Sequence, residues 1–562
     1  MQNTEIIRLL ELTARLLELN DENPFKVRNY ANTALALERV SEPLENLNAE
    51  QIAQLDGLSK GMADKIMLLN TEGTFPELRQ LLGQVPAGVV EMLDIKGLGP
   101  KKIRTLWKDL GIETLDELLA ACADNRVAAL KGFGEKTQDN IRQALLFRQA
   151  AASKLRFDDA SVLSDFVFNE LKNAGFDTVC LTGQVAQCSE AVDKIQLVAA
   201  IENNDVQKAH ESVNRMERLK RDDQASGPFA WRGYTDGTAT PVEILFVPPQ
   251  RFVGQAFVHT AAPAHLAKTA QNGQTLLQVA TSETHQDEEQ IYAKAGLPYI
   301  VPEMREGVLE FDWVQKHQEA DLVKLADLKG VLHNHSTYSD GKHTLEEMAR
   351  YCQSLGYEYF GITDHSKSAF YANGLVEDRI RQQHAEIDEL NRKLAPFRVF
   401  KGIESDILTD GSLDYDEDVL KTFDFVIASV HSGLGMDEEK ATKRLIRAVE
   451  NPYTTILGHL TGRLLLRREG YPVDHRKVID ACVANGVIIE INASPWRLDI
   501  GWQWLPYCME KGVMISINPD AHEKNGIHDM VYGVNVARKG GLIRAMTFNA
   551  LPLAEVEKRL VV

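Results

Sequence analysis

Two histidines one residue apart, His333 and His335, follow a short apolar run, and Asp340 comes within the next turn. On an extended strand, the side chains of residues i and i+2 lie on the same side, so both imidazoles can reach one point. Imidazole together with carboxylate is the ligand combination that divalent transition metals prefer. This stretch therefore predicts a metal site.

The same pattern recurs along the C-terminal part of the chain. Six further runs are rich in β-branched or aromatic residues, and each run ends near a polar residue. The polar residues are His365, Glu404, His431, His459, Asn492 and the pair Asp520 and His522. Segments of helical period, such as 344–355 and 380–394, lie between the runs. Strands alternating with helices predict parallel pairing, and parallel α/β sheets carry chemistry at the carboxyl ends of their strands. The polar residues fall at those ends, which favours one shared site.

Residues from about 327 to 562 resemble a PHP (polymerase and histidinol phosphatase) domain. The resemblance implies a distorted, seven-stranded, TIM-like α/β barrel that binds up to three divalent metal ions. All nine ligand positions of the family have a fitting residue here: His333, His335, Asp340, His365, Glu404, His431, His459, Asp520 and His522. His343 matches no ligand position, and we expect it to be exposed to solvent.

The resemblance also divides the nine residues among three ions. One ion is assigned to His333, His335, Glu404 and Asp520, a second to Glu404, His431 and His459, and a third to Asp340, His365 and His522. Mn²⁺ and Zn²⁺ fit these ligands equally well, and Mg²⁺ remains an alternative.

Metal ions held a few ångströms apart lower the pKa of bound water by several units and neutralise phosphate oxygens. No side chain is then needed as a covalent nucleophile, and we expect Glu404, His335 and Asp520 to be the residues most important for hydrolysis. Cations beside the predicted site favour an anionic substrate. Arg463 and Arg497 are predicted to contact its phosphate, and Arg467 and Lys367 are further candidates.

Length and composition limit the remaining choices. A chain of 562 residues predicts three or four domains, and its hydrophobic content of 44% is ordinary for a soluble protein. The first residues do not resemble a signal peptide, and no apolar run approaches the roughly twenty residues of a membrane span, which predicts a cytoplasmic protein without a membrane partner. Six cysteines without Cys-x-x-Cys pairing predict free thiols. A net charge of −19 argues against binding nucleic acid over the whole surface, so any DNA contact must be local.

A glycine-centred pattern occurs three times in the N-terminal region, at spacings of about 35 to 40 residues. A turn with two glycines exposes the backbone N–H groups of a helix N-terminus, which can bind a phosphate oxygen without recognising a base. The copies resemble helix-hairpin-helix motifs, although the first has Ser59 where a glycine is usual. Their candidate DNA-binding residues are Gly57, Gly61, Gly97, Gly99, Lys101, Lys102, Gly132, Gly134 and Lys136.

Helix-hairpin-helix repeats ahead of a PHP domain resemble the layout of bacterial family X DNA polymerases, and residues 23–31 resemble the start of that family's N-terminal DNA-binding domain. The resemblance implies a multidomain fold: an all-α N-terminal region, an α+β nucleotidyltransferase-like palm and the α/β barrel. The predicted domains are a helical DNA-binding domain with the first hairpin at 1–82, a hairpin pair at 83–152, the palm and thumb at 153–310, and the metal-dependent phosphoesterase domain at 311–562.

The predicted palm departs from the family pattern where two metal ions would be held by carboxylates. Aligned without a gap, Gln184 replaces a serine, Lys194 and Gln196 replace two aspartates, and Glu243 replaces the third acid. Ala186 and Gln187 stand in place of the triphosphate-binding arginines. We therefore expect the palm to be inactive; a shifted register using Glu190 and Asp193 remains the alternative.

The leading hypothesis is a metal-dependent DNA phosphodiesterase in DNA repair, acting as a 3′-5′ exonuclease, an abasic-site endonuclease or both. Its partner would be gapped, nicked or 3′-recessed duplex DNA, held by the backbone. Three alternatives stay open: a gap-filling polymerase with a proofreading barrel, a small-molecule phosphatase of the histidinol-phosphate type, and a DNA-binding scaffold without catalysis.

Overall fold

The computed structural model describes residues 1, 3–37, 40, 42–95, 97–202, 205–236, 240–271 and 273–560. The chain divides into two compact units, Met1–Ala152 and Ser153–Val562. None of the described helices is both long enough and apolar enough to cross a lipid bilayer. The division into four domains predicted from the sequence stays a prediction.

The first unit is helical over its described residues. Its helices begin where local chemistry favours them: Thr114 and Glu117 form a reciprocal capping box at one helix start, and Pro100 opens another. Apolar side chains at helical spacing, such as Ile6, Leu10 and Ile66, are fully buried in its core. The helices are α1 (Asn3–Leu19), α2 (Pro24–Leu37), α3 (Ala49–Ala53), α4 (Lys60–Glu72), α5 (Pro76–Gln84), α6 (Ala87–Met92), α7 (Pro100–Leu110), α8 (Leu115–Ala123) and α9 (Glu135–Ala151).

The second unit begins with a mixed sheet. The elements are β1 (Leu155–Arg156), α10 (Phe157–Asn173), β2 (Val179–Thr182), α11 (Gly183–Ala186), β3 (Ala191–Val192), β4 (Ile195–Ala200), α12 (Val206–Asn214), β5 (Leu219–Arg221), β6 (Ala230–Thr235) and β7 (Pro241–Val247). The strand order in the sheet is β2-β4-β7-β6-β5. Strand β4 pairs parallel with β7 and antiparallel with β2, so the start of β4 lies beside the start of β7. Four helices follow: α13 (Phe252–Thr260), α14 (Pro263–Leu266), α15 (Leu276–Ser282) and α16 (Glu288–Ala295).

The C-terminal part of this unit is a parallel sheet of seven strands, all within the fully described range 273–560. The strands follow one another in chain order, and every pair is parallel. They are β8 (Gly330–Val331), β9 (Tyr359–Ile362), β10 (Arg398–Asp406), β11 (Phe425–Ser429), β12 (Ile456–Leu457), β13 (Ile488–Asn492) and β14 (Ile515–Asn518). Beyond β8 and β14 the first and last strands meet in a parallel bridge between Asn334 and Ala521, which brings the sheet close to a closed barrel.

Helices cover the outside of the barrel, and apolar side chains fill the space between. Strands such as β11 are buried along their whole length, as expected for parallel strands with both faces covered. The helices are α17 (Glu310–Trp313), α18 (Leu345–Ser354), α19 (Glu377–Leu394), α20 (Glu417–Leu420), α21 (Glu438–Val449), α22 (His475–Asn485), α23 (Leu505–Lys511), α24 (Met530–Lys539) and α25 (Leu553–Leu560). The helical segments predicted at 344–355 and 380–394 correspond to α18 and α19.

Candidate metal centre

The nine predicted ligands come together at the carboxyl ends of the barrel strands. Glu404 lies within the long strand β10, and the other eight follow the ends of five different strands. Most of these side chains are buried, whereas Asp340 and His522 keep more than a third of their side-chain surface exposed. We refer to the nine residues as the metal cluster. Because parallel strands all point the same way, residues far apart in sequence are brought to one rim.

Glu404 stands at the centre of the metal cluster. Its Oε1 lies 2.9 Å from His459 Nε2, 3.2 Å from His431 Nε2 and 3.4 Å from His333 Nε2. Its Oε2 lies 2.9 Å from His365 Nδ1. One carboxylate thus faces imidazoles on several sides, as a residue shared between metal ions must.

Two further carboxylates complete the cluster. Asp520 Oδ1 lies 3.0 Å from His335 Nε2 and 3.5 Å from His333 Nε2. Asp340 lies on the more exposed side, with Oδ1 at 3.4 Å from His522 Nε2. The ligand atoms form three groups, each compact enough for one ion, and the groups are His333, His335 and Asp520; His365, Glu404 and His431; and His335, Asp340, His365 and His522.

These groups differ in detail from the assignment that the family resemblance implied. His335 and His365 each belong to two groups, so each imidazole lies between two candidate positions. His459 enters the site through its contact with Glu404. The assignment of individual ligands to individual ions stays a prediction.

Several buried atoms of the cluster have no hydrogen-bond partner, and this fits a bound cation. Among the described residues, these atoms include His333 Nε2 and His335 Nδ1. His365 Nδ1 and Glu404 Oε2 lie 2.9 Å apart but are not aligned as a hydrogen bond. Leaving a buried polar atom unpaired costs about 1–3 kcal/mol. A metal ion would give these nitrogen and oxygen atoms the partner that the protein does not supply.

Electrostatics in the cluster keep its carboxylates ionised. Burial acts to raise the pKa of Glu404, but His431 and His333 outweigh it and hold that pKa well below its usual value. Burial and the neighbouring His522 and His365 lower the pKa of His335 to about 3, so this ring is neutral and free to bind a metal. Burial acts to lower the pKa of His431, yet Glu404 and Asp406 prevail and raise it to about 10.

Three buried acids that the sequence analysis does not single out lie against the predicted ligands or the turn beside them. Glu490 Oε2 lies 2.7 Å from His333 Nδ1, and Asp406 Oδ1 lies 2.5 Å from His431 Nδ1. Asp364 accepts a hydrogen bond from Ser336 N at 2.8 Å and so holds the turn that follows His335. Such contacts fix the tautomer and orientation of a ligating imidazole. One sequence signal indicates such residues: an acid inside, or at the end of, a predicted strand that is otherwise apolar.

Only some of the cations predicted to bind phosphate lie near the metal cluster in the structure. Arg497 reaches the cluster, with Nε 3.5 Å from Asp520 Oδ2. Arg463 does not; its Nη2 lies 2.8 Å from Glu190 Oε1, and its Nε donates to the Arg497 carbonyl at 2.8 Å. Because the Arg463 guanidinium is engaged in this way, the structure gives no support to its predicted catalytic role.

Two other residues near the rim differ from expectation. Lys367 Nζ forms an ion pair with Glu377 at 3.0 Å instead of pointing to the cluster. His343 is half-buried, not solvent-exposed, because its Nδ1 accepts a hydrogen bond from Lys524 N at 3.4 Å.

The glycine motifs of the first unit precede helices. Gly97 and Gly132 adopt φ values of +88° and +89°, a conformation that favours glycine. Gly99 and Gly134 are the N-cap residues of α7 and α9, whereas Gly61 lies inside the first turn of α4, after the N-cap Ser59. Gly57 is exposed in the turn before α4.

The lysines of these motifs have different surroundings. Lys101 and Lys136 are exposed at the starts of α7 and α9. Lys102 is half-buried; its Nζ donates to the Gly97 carbonyl at 3.4 Å and lies 5.7 Å from the Phe133 ring centre. The second and third motifs are therefore neighbours in space.

The residues that replace palm acids lie together at one edge of the mixed sheet. Gln196 in β4 pairs in register with Glu243 in β7. Lys194 Nζ lies 3.3 Å from Glu243 Oε2, and Arg232 Nη2 lies 3.5 Å from Glu243 Oε1. Glu243 is therefore held between two cations.

The neighbouring loop has its own internal contacts. Gln184 Nε2 donates to Asp193 Oδ2 at 2.9 Å, and Asp193 also pairs with Lys154 at 3.4 Å. The side chain of Gln184 thus links the start of this loop to its end at Asp193.

Comparison with protein families agrees with this architecture. Models of a helix-hairpin-helix domain, a SAM-like helix-hairpin-helix tandem and the PHP domain match residues 1–75, 89–145 and 331–494. Together with the seven-stranded parallel barrel, these matches define a multidomain protein of the helix-hairpin-helix and PHP class. The predicted fold class is confirmed.

Relatives extend the similarity to the whole chain. It is 35% identical over 577 residues to the DNA polymerase/3′-5′ exonuclease PolX of Bacillus subtilis (strain 168), with 99% of each chain covered. It is also 29% identical over 235 residues to a probable phosphatase of Thermoanaerobacter sp. (strain X514), covering 40% of this chain and 91% of that protein. The chain belongs to the PolX family.

Proposed function

We propose that this protein is a metal-dependent DNA phosphodiesterase whose barrel hydrolyses DNA, while its palm no longer transfers nucleotides. The observation that carries this proposal is the contrast between two edges of one unit. The barrel brings the nine predicted ligands together, and among the described residues several of their buried atoms have no hydrogen-bond partner. The palm has Lys194 and Gln196 where the family pattern has two aspartates.

The nine cluster residues would hold up to three divalent ions, of which Mn²⁺ or Zn²⁺ suits the ligands best and Mg²⁺ is the alternative. Such ions lower the pKa of bound water and neutralise phosphate oxygens. The protein's own part is to orient the ligands: Glu490 and Asp406 fix the rings of His333 and His431. Arg497, beside Asp520, is placed to contact a phosphate oxygen of the strand being cut.

An inactive palm is supported by how its polar groups are used. Glu243 is neutralised by Lys194 and Arg232, and an ammonium group beside it repels Mg²⁺. The two acids that a shifted register would need have partners elsewhere, because Asp193 contacts Lys154 and Glu190 contacts Arg463. Primer extension with Mg²⁺ or Mn²⁺ tests this part, and template-dependent incorporation would overturn it.

The hairpin motifs would hold the DNA by its backbone, on a gapped, nicked or 3′-recessed duplex in the course of repair. We predict that replacing the exposed Lys101 and Lys136 with alanine weakens binding of every DNA sequence similarly. The slope of log K against log salt should become less steep by about 0.9 for each phosphate that the variant no longer neutralises. Lys108→Ala, at the other end of α7, is the matched control, and an unchanged salt slope in the double variant would contradict the assignment.

The site is tested by 3′-end hydrolysis on a recessed duplex carrying a 5′ label. Alanine at His335 or Glu404 should abolish product formation while leaving DNA affinity nearly unchanged, because DNA is bound by a separate unit. His343→Ala, which changes a neighbouring histidine outside the cluster, should keep activity within about threefold of the unmodified protein. Full activity in the His335 variant would refute the proposal.

The similarity to probable phosphatases favours one second candidate, a phosphatase acting on a small phosphomonoester. The helix-hairpin-helix matches speak against it, since such a substrate needs no DNA-binding unit. Comparing kcat/KM for a phosphomonoester, a 3′-recessed duplex and an abasic duplex separates the phosphatase from the exonuclease and the endonuclease.

A further inference from the structure

The most exposed of the large hydrophobic side chains in the described part of the chain lies close in sequence to a predicted metal ligand. Phe370 is 84% exposed and its neighbour Tyr371 is 60% exposed. Both belong to a single 3-10 turn, Phe370–Ala372, shortly after His365. We call these two residues the aromatic pair. Contiguous exposed apolar surface is a known mark of ligand-binding and partner-binding sites.

The loop that carries the aromatic pair is held in place by side-chain hydrogen bonds. Ser368 Oγ donates to Asp406 Oδ2 at 2.8 Å, and Ser368 N donates to Asp414 Oδ2 at 2.6 Å. At the other end of the turn, Asn373 Nδ2 donates to the Ser339 carbonyl at 3.4 Å. The exposure of the two rings is therefore a property of an anchored loop.

The same contacts place the aromatic pair at the mouth of the metal cluster. Asp406, which holds one end of the loop, also contacts the ligand His431. Ser339, which holds the other end, directly precedes the ligand Asp340. The aromatic pair thus lies beside the predicted ligands and leaves ring surface open to solvent.

We propose that Phe370 and Tyr371 form a stacking platform for the nucleobase next to the phosphodiester that the barrel hydrolyses. The inference rests on the proposed function, since it takes DNA as the substrate. A base attached to a phosphate at the cluster must lie within a few ångströms of the rim, where these rings offer apolar surface. Every base has a π-face, so stacking of this kind holds a strand end without selecting a sequence.

The test compares two oligonucleotides of equal length. One ends in two thymidines, and the other ends in two 5,6-dihydrothymidines, which keep their bases but whose saturated, puckered rings stack poorly. The unmodified protein should cleave the thymidine end with a kcat/KM about tenfold higher, as expected when the stacking of one base is lost. In the double variant Phe370→Ala/Tyr371→Ala, kcat/KM for the thymidine end should fall to that for the dihydrothymidine end, which should itself be nearly unchanged. Removing the rings and saturating the base eliminate the same interaction.

Two control variants test whether the preference depends on aromatic surface at this position. Phe370→Trp/Tyr371→Phe retains aromatic surface and should retain the preference for the thymidine end over the dihydrothymidine end. Phe229→Ala removes another exposed ring, 54% exposed in the palm sheet region, and should change neither substrate.

Failure of the platform and failure of the proposed function give different results. A double variant that keeps the tenfold preference overturns the platform. Unchanged activity on both substrates is expected if the rings bind a protein partner, and an equal fold loss on both is expected if the rings support the fold. A His335→Ala variant that still hydrolyses both oligonucleotides overturns the proposed function instead.

Discussion

The barrel and the palm sheet lie in one compact unit, yet their polar edges are built in opposite ways. In the barrel, Glu404 is surrounded by imidazoles, and several buried atoms have no hydrogen-bond partner in the part of the chain that the structure describes. In the palm, Glu243 is paired with Lys194 and Arg232. The imidazoles of the first arrangement are groups that can bind a metal ion once they lose their protons, whereas the lysine and arginine of the second are fixed cations that cannot. The comparison shows that the side chains around a carboxylate determine whether it can bind a metal ion. The presence of the carboxylate alone is not sufficient.

Of the predicted changes, metal removal should have the largest effect. It should lower stability because the barrel site loses its ions, and the palm should not contribute. Stripping divalent ions with a chelator leaves the buried cluster atoms unpaired, so the free energy of unfolding of this unit should fall by about 4 kcal/mol relative to protein in a thousandfold excess of metal over its Kd. Thermal unfolding with and without Mn²⁺ measures this. Glu243→Gln should leave the metal-dependent difference intact, and its loss in that variant would break the contrast.

Glu490→Gln should weaken metal binding by about 10- to 100-fold. The amide can still contact His333 Nδ1, but it no longer carries the charge that raises the basicity of the ring. Isothermal titration with Mn²⁺ gives the affinity. Glu386→Gln, which changes an acid that contacts Tyr338 instead of a ligand, is the control and should titrate like the unmodified protein. Equal affinities in all three proteins would show that Glu490 does not tune the site.

Metal affinity should rise with pH. In metal-free protein the carboxylates of Glu404 and Asp406 overcome the effect of burial and raise the pKa of His431 to about 10, so its ring is protonated at neutral pH. A cation must displace that proton, which makes the apparent affinity increase about tenfold per pH unit between pH 7 and 9 for one proton released. Titrations at several pH values measure the slope, and an affinity that falls as pH rises would have the wrong sign.

The smallest expected effect concerns the contact between the two regions. Arg463 joins Glu190 of the palm to the carbonyl of Arg497, the residue that reaches Asp520. Single alanine variants at Glu190 and Arg463 should each raise the KM for DNA several-fold, and the double variant should be no worse, with a coupling energy of about 1 kcal/mol. Fully additive effects would show that the palm and the Arg497 loop act independently.

Much of the barrel follows from sequence. Apolar runs that end at His365, Glu404 or His431 predict parallel strands and a shared rim, because strand direction alone brings these ends together. The matches that define the fold class confirm this architecture. The metal assignments themselves stay predictions.

The sequence is less informative about contacts between distant segments. Glu490 meets His333 across 157 positions of the chain, and no local pattern encodes such a pair. Arg463 follows the strand that ends at His459, and the sequence predicts that it contacts the substrate. In the structure it pairs with Glu190, which belongs to a distant segment of the palm. His343 was expected in solvent, whereas the loop containing Lys524 covers it. In each case the partner comes from another strand or another sheet.

A crystal structure of protein soaked in Mn²⁺, with diffraction data collected at the manganese absorption edge, tests the central claim most directly. We predict anomalous density peaks between Glu404, Asp520 and the cluster histidines, and no peak beside Glu243. Peaks beside Glu243 and Gln196, or a barrel rim without any, would contradict the account.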